Sequence, residues 1–195
     1  MFHVKHDCVA VYIRVVERWD RKISLLSRKY AGRVSDDLLR DSAILAGYLR
    51  AEDRHLDIGT GNGLPIIPAL CQSAERPAET VLIEADARKA AFLRAASRET
   101  GVRYEVLCNR IEETPYVGAD SISAKAFAPL PRLLHLAVPH LNPDGRILAF
   151  KGRTVEQEIA AARATWEFEL DIRDRDAETG AVLLVIRHPR RRASA

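Results

Sequence analysis

The stretch Arg54–Pro68, RHLDIGTGNGLPIIP, constrains this chain more than any other. A short apolar run, Leu56 and Ile58 on either side of Asp57, ends in glycines at alternate positions, Gly59, Gly61 and Gly63. Glycine lets a strand turn sharply and leaves the turn's amides uncovered, because no Cβ bars a ligand's approach. The apolar segment that follows is expected to start a helix whose first amides point into the same crevice. Such a turn serves nicotinamide, flavin and S-adenosylmethionine (SAM) sites, or it is a plain tight turn beside a solvated Asp57.

Two details favour SAM. Dinucleotide sites follow G-x-G-x-x-G/A, whereas here the third glycine falls one place early and Leu64 fills the slot needed for close helix–strand packing. Asp57, inside the strand, suits a ligand with a charged amino group, which SAM and its product both carry.

Val81-Leu82-Ile83-Glu84 reads as a second buried strand tipped by an acid. Glu84 stands about twenty residues past the turn, the spacing at which such an acid grips a nucleoside's ribose hydroxyls. Tyr104–Cys108 is a third strand leading into Asn109-Arg110-Ile111-Glu112-Glu113. An acid there is placed to accept from an adenine amino group, with Ile111 against the ring. Asp120–Lys125 is a fourth strand, followed by Ala126-Phe127-Ala128-Pro129-Leu130-Pro131. Loops beyond the carboxyl ends of parallel strands hold the chemistry of such sheets, which makes Lys125 and Phe127 candidates for the reaction cleft. Phe127 fits a core aromatic equally well.

The remaining chain alternates strand and helix. A helix over Ala87–Thr100 stops at Gly101. Another spans Leu133–Leu141, Pro143-Asp144-Gly145 is a turn, and Arg146–Gly152 is the fifth strand. A helix over Val155–Trp166 and strands at Phe168–Ile172 and Val182–Arg187 close the pattern. Ahead of the first strand, Val11, Val15, Trp19, Ile23 and Leu26 recur at helical intervals within Cys8–Tyr30. The opposite face carries Arg14, Glu17, Arg18, Arg21 and Lys22, which suits RNA phosphates or plain solvent. Asp36 is placed to cap a second helix running to about Leu49. Met1–His6 is too short and mixed to assign an element, although one set of codons for it spells a DNA palindrome.

With 195 residues, 47% hydrophobic and 29% charged, the chain suits one soluble domain. No apolar run is long enough to cross a bilayer and no signal-peptide core is visible, so a cytoplasmic protein with no membrane partner is expected. Cys8, Cys71 and Cys108 are isolated, form no metal-ligand spacing and suggest no disulfide framework; buried thiols are expected. A net charge of +3 is mild, but Arg187-His188-Pro189-Arg190-Arg191-Arg192 forms a compact basic tail.

Several blocks resemble a known family, the bacterial small-subunit ribosomal RNA guanine-N7 methyltransferases, also called glucose-inhibited division protein B. They include Ile23-Ser24-Leu25-Leu26-Ser27, Asp41-Ser42, Leu56–Pro68, Lys89-Ala90-Ala91-Phe92-Leu93-Arg94, Arg110-Ile111-Glu112-Glu113, Ala124–Leu130 and Lys151-Gly152. KAAFLR after an acid-tipped strand, followed later by AFAPL, is specific; the glycine turn is common to SAM methyltransferases. The resemblance implies an α/β, Rossmann-like class I SAM-dependent methyltransferase with a mostly parallel seven-stranded sheet. Residues 1–50 would form an N-terminal helical cap and 51–195 the SAM-binding domain, in one compact unit.

It further implies methyl transfer from SAM to N7 of a guanine in 16S rRNA, by a protein expected to act as a monomer on the small subunit. The family's cofactor contacts fall on Gly59, Leu64, Ile111 and Glu112, joining Asp57, Gly61, Gly63 and Glu84 from the spacing argument. The family's arginine after the fourth strand matches Lys125, a point charge in place of a planar fork. Asp37-Leu38, Ser24 and Ile66 also depart from the pattern. Guanine N7 carries a lone pair and no proton, so alignment suffices and no general base is needed. Lys125 then orients cofactor or phosphate, Phe127 stacks on the guanine, and Arg18, Arg21, Lys22, Arg190, Arg191 and Arg192 meet RNA. The rivals are a weakly active or non-catalytic RNA-binding member and a small-molecule SAM methyltransferase, whose substrate binding would scarcely respond to salt.

Overall fold

The computed structural model describes residues 3–28, 34 and 36–193, with side chains for all of these except 3–7 and 37. Arg54–Ile58 (β1), Glu79–Ile83 (β2), Glu105–Leu107 (β3), Ala119–Lys125 (β4) and Leu141–Lys151 (β5) are the parallel strands of one sheet. Trp166–Arg173 (β6) and Val182–Arg191 (β7) complete it, β7 running antiparallel to both β5 and β6. The strand order is β3-β2-β1-β4-β5-β7-β6. The order reverses between β1 and β4, so their carboxyl ends diverge and open a crevice, the place where such sheets bind ligands.

β1 and β2 are buried at every position after the first, which is why both read as near-continuous apolar runs. One face packs against His3–Ile23 (α1), Asp36–Ala46 (α2), Ile66–Gln72 (α3) and Ala87–Thr100 (α4), through Tyr12, Leu45, Ile67 and Phe92. The other packs against Leu130–Ala137 (α5) and Val155–Arg163 (α6), through Leu133, Leu134 and Ile159 on Leu56, Ile58 and Ile147. Each such side chain contributes about 1.5–3 kcal/mol on burial. α4 has the limits expected of it. Asp86 caps its first turn by accepting from the Arg88 and Lys89 amides, and Gly101 ends it at φ +71°.

Several boundaries differ from expectation. α1 already runs from His3, and it stops at Ile23 instead of Tyr30 because Ser24 turns left-handed (φ +50°). The Asp20 carboxylate then accepts from the Leu26 amide and pins the returning chain. α5 starts at Leu130 and gives way to a 3₁₀ turn at Val138–His140. Pro143–Gly145 lies within β5 as an irregularity: Ala119 pairs with Leu141, yet Ser121 pairs with Arg146. Trp166 belongs to β6, not to the preceding helix. The basic tail is strand as far as Arg191, with Arg190 bound to Glu167 and Arg187 to Asp171 across the β6–β7 ribbon.

The cysteine expectation is overturned. Cys8 of α1 and Cys71 of α3 form a disulfide across a sequence separation of 63, their Cα atoms 5.6 Å apart, and Cys108 is exposed and free. Packing of α1 on α3 brings the pair together, and no local spacing announces that. Under denaturing, non-reducing conditions a thiol reagent is expected to label Cys108 alone, with Cys8 and Cys71 labelled only after reduction. Mass spectrometry of the labelled protein decides it; labelling of all three before reduction would show that the bond does not form. Among the described residues no helix is long and apolar enough to cross a membrane.

Candidate active site

The glycine turn closes onto β2. The Gly59 and Thr60 amides both donate to the Ile83 carbonyl, at 3.0 and 3.1 Å. That contact brings the next residue, Glu84, under the loop, where its Oε2 accepts from the Gly61 amide at 2.7 Å. Oε1 accepts from the Asp86 amide at 2.8 Å. Glu84 is thus a nearly buried carboxylate held by two backbone donors at the mouth of a cleft of about 340 Å³. Gly59, Glu84, Asn109, Ile111, Glu112 and Phe127 are among the residues lining it. A carboxylate has about four acceptor positions, so Glu84 keeps capacity for a ligand's hydroxyls. Glu112 lies across the cleft, half-exposed and paired with Arg132 at 2.5 Å.

Gly59 is required on two counts. Its φ is +66°, and a Cβ there would sit 2.2 Å from Phe127 Cδ2. Gly59→Ala is expected to displace the Phe127 ring and to lower stability by about 1–3 kcal/mol, read from the urea midpoint. An unchanged midpoint would mean that Phe127 does not rest on this glycine. Gly63 (φ +84°) faces Ile67 and Leu93, a packing contact away from the cleft wall.

Beneath the loop runs a buried polar chain joining β1 to β4. Ser121 Oγ lies 2.7 Å from His55 Nδ1, and Ser123 Oγ lies 2.9 Å from His55 Nε2. Ser123 Oγ donates to Asp57 Oδ2 at 2.5 Å. With Asp57 ionised, the Ser123 proton is committed to it, so His55 Nε2 donates to Ser123 and Nδ1 accepts from Ser121. Burial raises Asp57 to about 7, opposed by the Ser123 and Thr60 hydroxyls and assisted by the Glu84 charge. Burial also lowers His55 to about 3, with the nearby Arg146 cation adding to the effect. Arg146 is itself paired with buried Asp53 at 2.6 Å.

A second cleft, of about 520 Å³, adjoins the first, and Phe127 and Ala128 line both. Lys125 reaches it and pairs with Asp41 of α2 at 2.6 Å. Lys151 donates to the Ala128 carbonyl at 2.6 Å and to Glu158 at 2.8 Å. Glu158 also accepts from the Leu130 amide at 2.8 Å, which fixes the Ala126–Leu130 loop between the clefts.

The structure therefore gathers Gly59, Glu84, Ile111, Glu112 and Phe127 around one cleft and places Lys125 in its neighbour. Asp57 lies buried below the loop, and the Leu64 side chain packs in the core beside α1 and α3. Arg18, exposed, pairs with Glu99 of α4. Arg21 and Lys22 are exposed close to Leu25, whose carbonyl accepts from the Asn62 side chain in the glycine turn. Arg190, Arg191 and Arg192 sit elsewhere. β7 passes Arg146 toward the amino ends of the parallel strands, so this cluster lies at the end of the sheet away from both clefts. His55, Ser121 and Ser123 carry no motif of their own as site residues and come into view only with the fold, as does the place of Asp41, a residue of the resemblance blocks, beside Lys125. Tyr12 likewise: its hydroxyl donates to the Asn62 carbonyl at 2.7 Å, tying α1 to the turn.

A model of the family GidB, described as rRNA small subunit methyltransferase G, matches residues 5–176. The chain belongs to this family. Ribosomal RNA small subunit methyltransferase G of Cereibacter sphaeroides is 39% identical over 179 residues, 90% of this chain and 87% of that protein. The Rhizobium rhizogenes protein of the same name is 37% identical over 190 residues, covering 93% of this chain and 91% of its own. The crystal structure of a SAM dependent methyltransferase from Aquifex aeolicus superposes with a TM-score of 0.60 at 13% identity, over 78% of this chain and 91% of that one. At that identity the likeness speaks for the fold: an α/β, Rossmann-like sheet. Of the two specific phrases in the chain, Ala126–Leu130 runs between the two clefts, whereas Lys89–Arg94 lies within α4 and serves its packing.

Proposed function

We propose that this protein transfers a methyl group from SAM to N7 of a guanine in 16S rRNA, acting as a monomer on the small ribosomal subunit in the cytoplasm. The observation that carries this reading is Glu84, a strand-end carboxylate fixed by the Gly61 amide and facing a cleft that shares Phe127 with a second cleft. The residues present fit SAM. Glu84 holds the ribose hydroxyls, Ile111 and Glu112 take the adenine, and Gly59, Gly61, Gly63 and Leu64 shape the turn. Asp57 balances the charged amino group. When bound, SAM supplies a methyl group on a positively charged sulfur.

The chain's own task is then alignment. Phe127 packs against the target base, Lys125 steers cofactor or phosphate, and the Lys151–Glu158 pair keeps their loop from shifting. Near-attack positioning is worth several powers of ten in rate, and N7 offers its lone pair without losing a proton. Residues 1–50 serve as a cap, and Arg18, Arg21 and Lys22 on it meet RNA phosphates. Arg190–Arg192 contact RNA only if the subunit wraps toward the other end of the sheet.

The test is direct: incubate the protein with isotopically labelled SAM and small subunits lacking the modification, digest the rRNA and map N7-methylguanosine. One labelled guanine is the expected result. SAM binding without any transfer would support the non-catalytic reading, and transfer to adenine or cytosine would overturn the N7 assignment.

A further inference from the structure

The second cleft has a chemical character that methyl transfer alone does not require. Its wall carries two acid–base pairs, Lys125–Asp41 and Lys151–Glu158, and they are used differently. Glu158 is consumed internally: Oε2 accepts from the Leu130 amide and Lys151, and Oε1 accepts from Thr154. Asp41 gives Oδ2 to Lys125, while its Oδ1 has no hydrogen-bond partner among the described residues. Its side chain is 13% exposed and lines the cleft, so it faces the cavity instead of bulk solvent.

We propose that Asp41, steadied by Lys125, is the residue that selects guanine in this cleft. The inference deepens the reading above and rests on it. Among the four bases, guanine presents two adjacent donors, N1–H and the N2 amino group, on its Watson–Crick edge, and a carboxylate accepts both at once. Beside those donors lies O6, an acceptor, which suits the Lys125 ammonium next to Asp41. Adenine offers an acceptor at N1, and cytosine one at N3; each would set a lone pair against the carboxylate. N7 is on the purine edge remote from N1 and N2. A base gripped at Asp41 therefore turns N7 away from α2, and the wall shared with the cofactor cleft is Phe127 and Ala128.

The discriminating substrate is inosine, which keeps N1–H, O6 and N7 but lacks the N2 amino group. Small subunits are reconstituted with rRNA carrying guanine or inosine at the methylated position, and kcat/KM is measured for each. Wild-type protein should favour guanine by roughly ten- to a hundredfold, the range for losing one hydrogen bond to a charged acceptor. In Asp41→Ala the preference should fall to near unity while guanine methylation slows. Should that variant fail to melt cooperatively, Asp41→Asn serves, since an amide offers one acceptor oxygen where two are needed, and its preference should fall as well. An equal slowing of both substrates with the preference intact would leave Asp41 a merely structural residue and overturn the proposal. So would a wild-type protein indifferent to the N2 amino group. Failure of the wild-type protein to methylate any guanine would overturn the proposed function, and this inference with it.

Discussion

Glu84→Ala is expected to weaken SAM binding by more than a hundredfold. Two ribose hydroxyls donating to a carboxylate form charge-assisted bonds worth about 1.5–3 kcal/mol each, so losing both removes about 3 kcal/mol or more. That converts to at least a hundredfold in Kd. Glu84→Gln should fare little better, for a reason visible in the fold. Both carboxylate oxygens accept backbone amides, from Gly61 and from Asp86. A glutamine must aim its own NH2 at one of those donors, so the turn itself has to move. Titration calorimetry with SAM on both variants, with thermal melting as the check on folding, decides the matter. A Kd within threefold of wild type for Glu84→Ala would remove the ribose-binding role.

That site was largely legible in the chain because its signals are local. Strand periodicity, the glycine spacing and the acid at the tip of the next strand all lie within Arg54–Glu84, and the parallel register of β1 with β2 then forces Glu84 against the turn. Ile111 and Glu112 follow by the same logic, one strand further along. What local pattern cannot supply is the partner of a side chain on a distant element. Lys125 was legible as a cleft residue, but its ion pair with Asp41 depends on α2 packing over the carboxyl end of the sheet. The Cys8–Cys71 bond depends on α1 crossing α3. His55 reads as one alternate residue of a buried strand, and only the register of β1 with β4 places it between Ser121 and Ser123. The position of the basic tail escapes the sequence for a related reason. Composition gives charge, but antiparallel pairing of β7 decides which end of the sheet receives it.

SAM affinity is expected to fall about tenfold per pH unit below neutrality, and Asp57 is the group responsible. A cationic amino group needs an ionised partner, yet burial holds Asp57 at about 7 in the unliganded protein. Between about pH 7.5 and pH 5.5, where the ligand's amino group stays charged, the rising protonated fraction should weaken binding by roughly 25-fold. Near pH 7 binding should also release a fraction of a proton, visible as a dependence of the calorimetric heat on buffer ionisation enthalpy.

Fold stability should not follow the same curve. Asp57 has a folded value above its unfolded one, so its contribution is full below about pH 4 and fades as pH rises through 7. His55 is the reverse: its folded value of about 3 lies below the unfolded one, so its contribution is full above about 6.5 and fades as pH falls toward 3. Over the interval they share, one group takes up a proton on folding as the other gives one up, and their slopes cancel. A steep loss of SAM affinity alongside a nearly level melting temperature between about pH 5 and pH 6.5 is therefore the expected signature. Asp57→Asn should bind weakly at every pH and lose the slope. If instead its affinity keeps the wild-type pH profile, the titrating group is another residue, and the ligand's amino group is not met by Asp57.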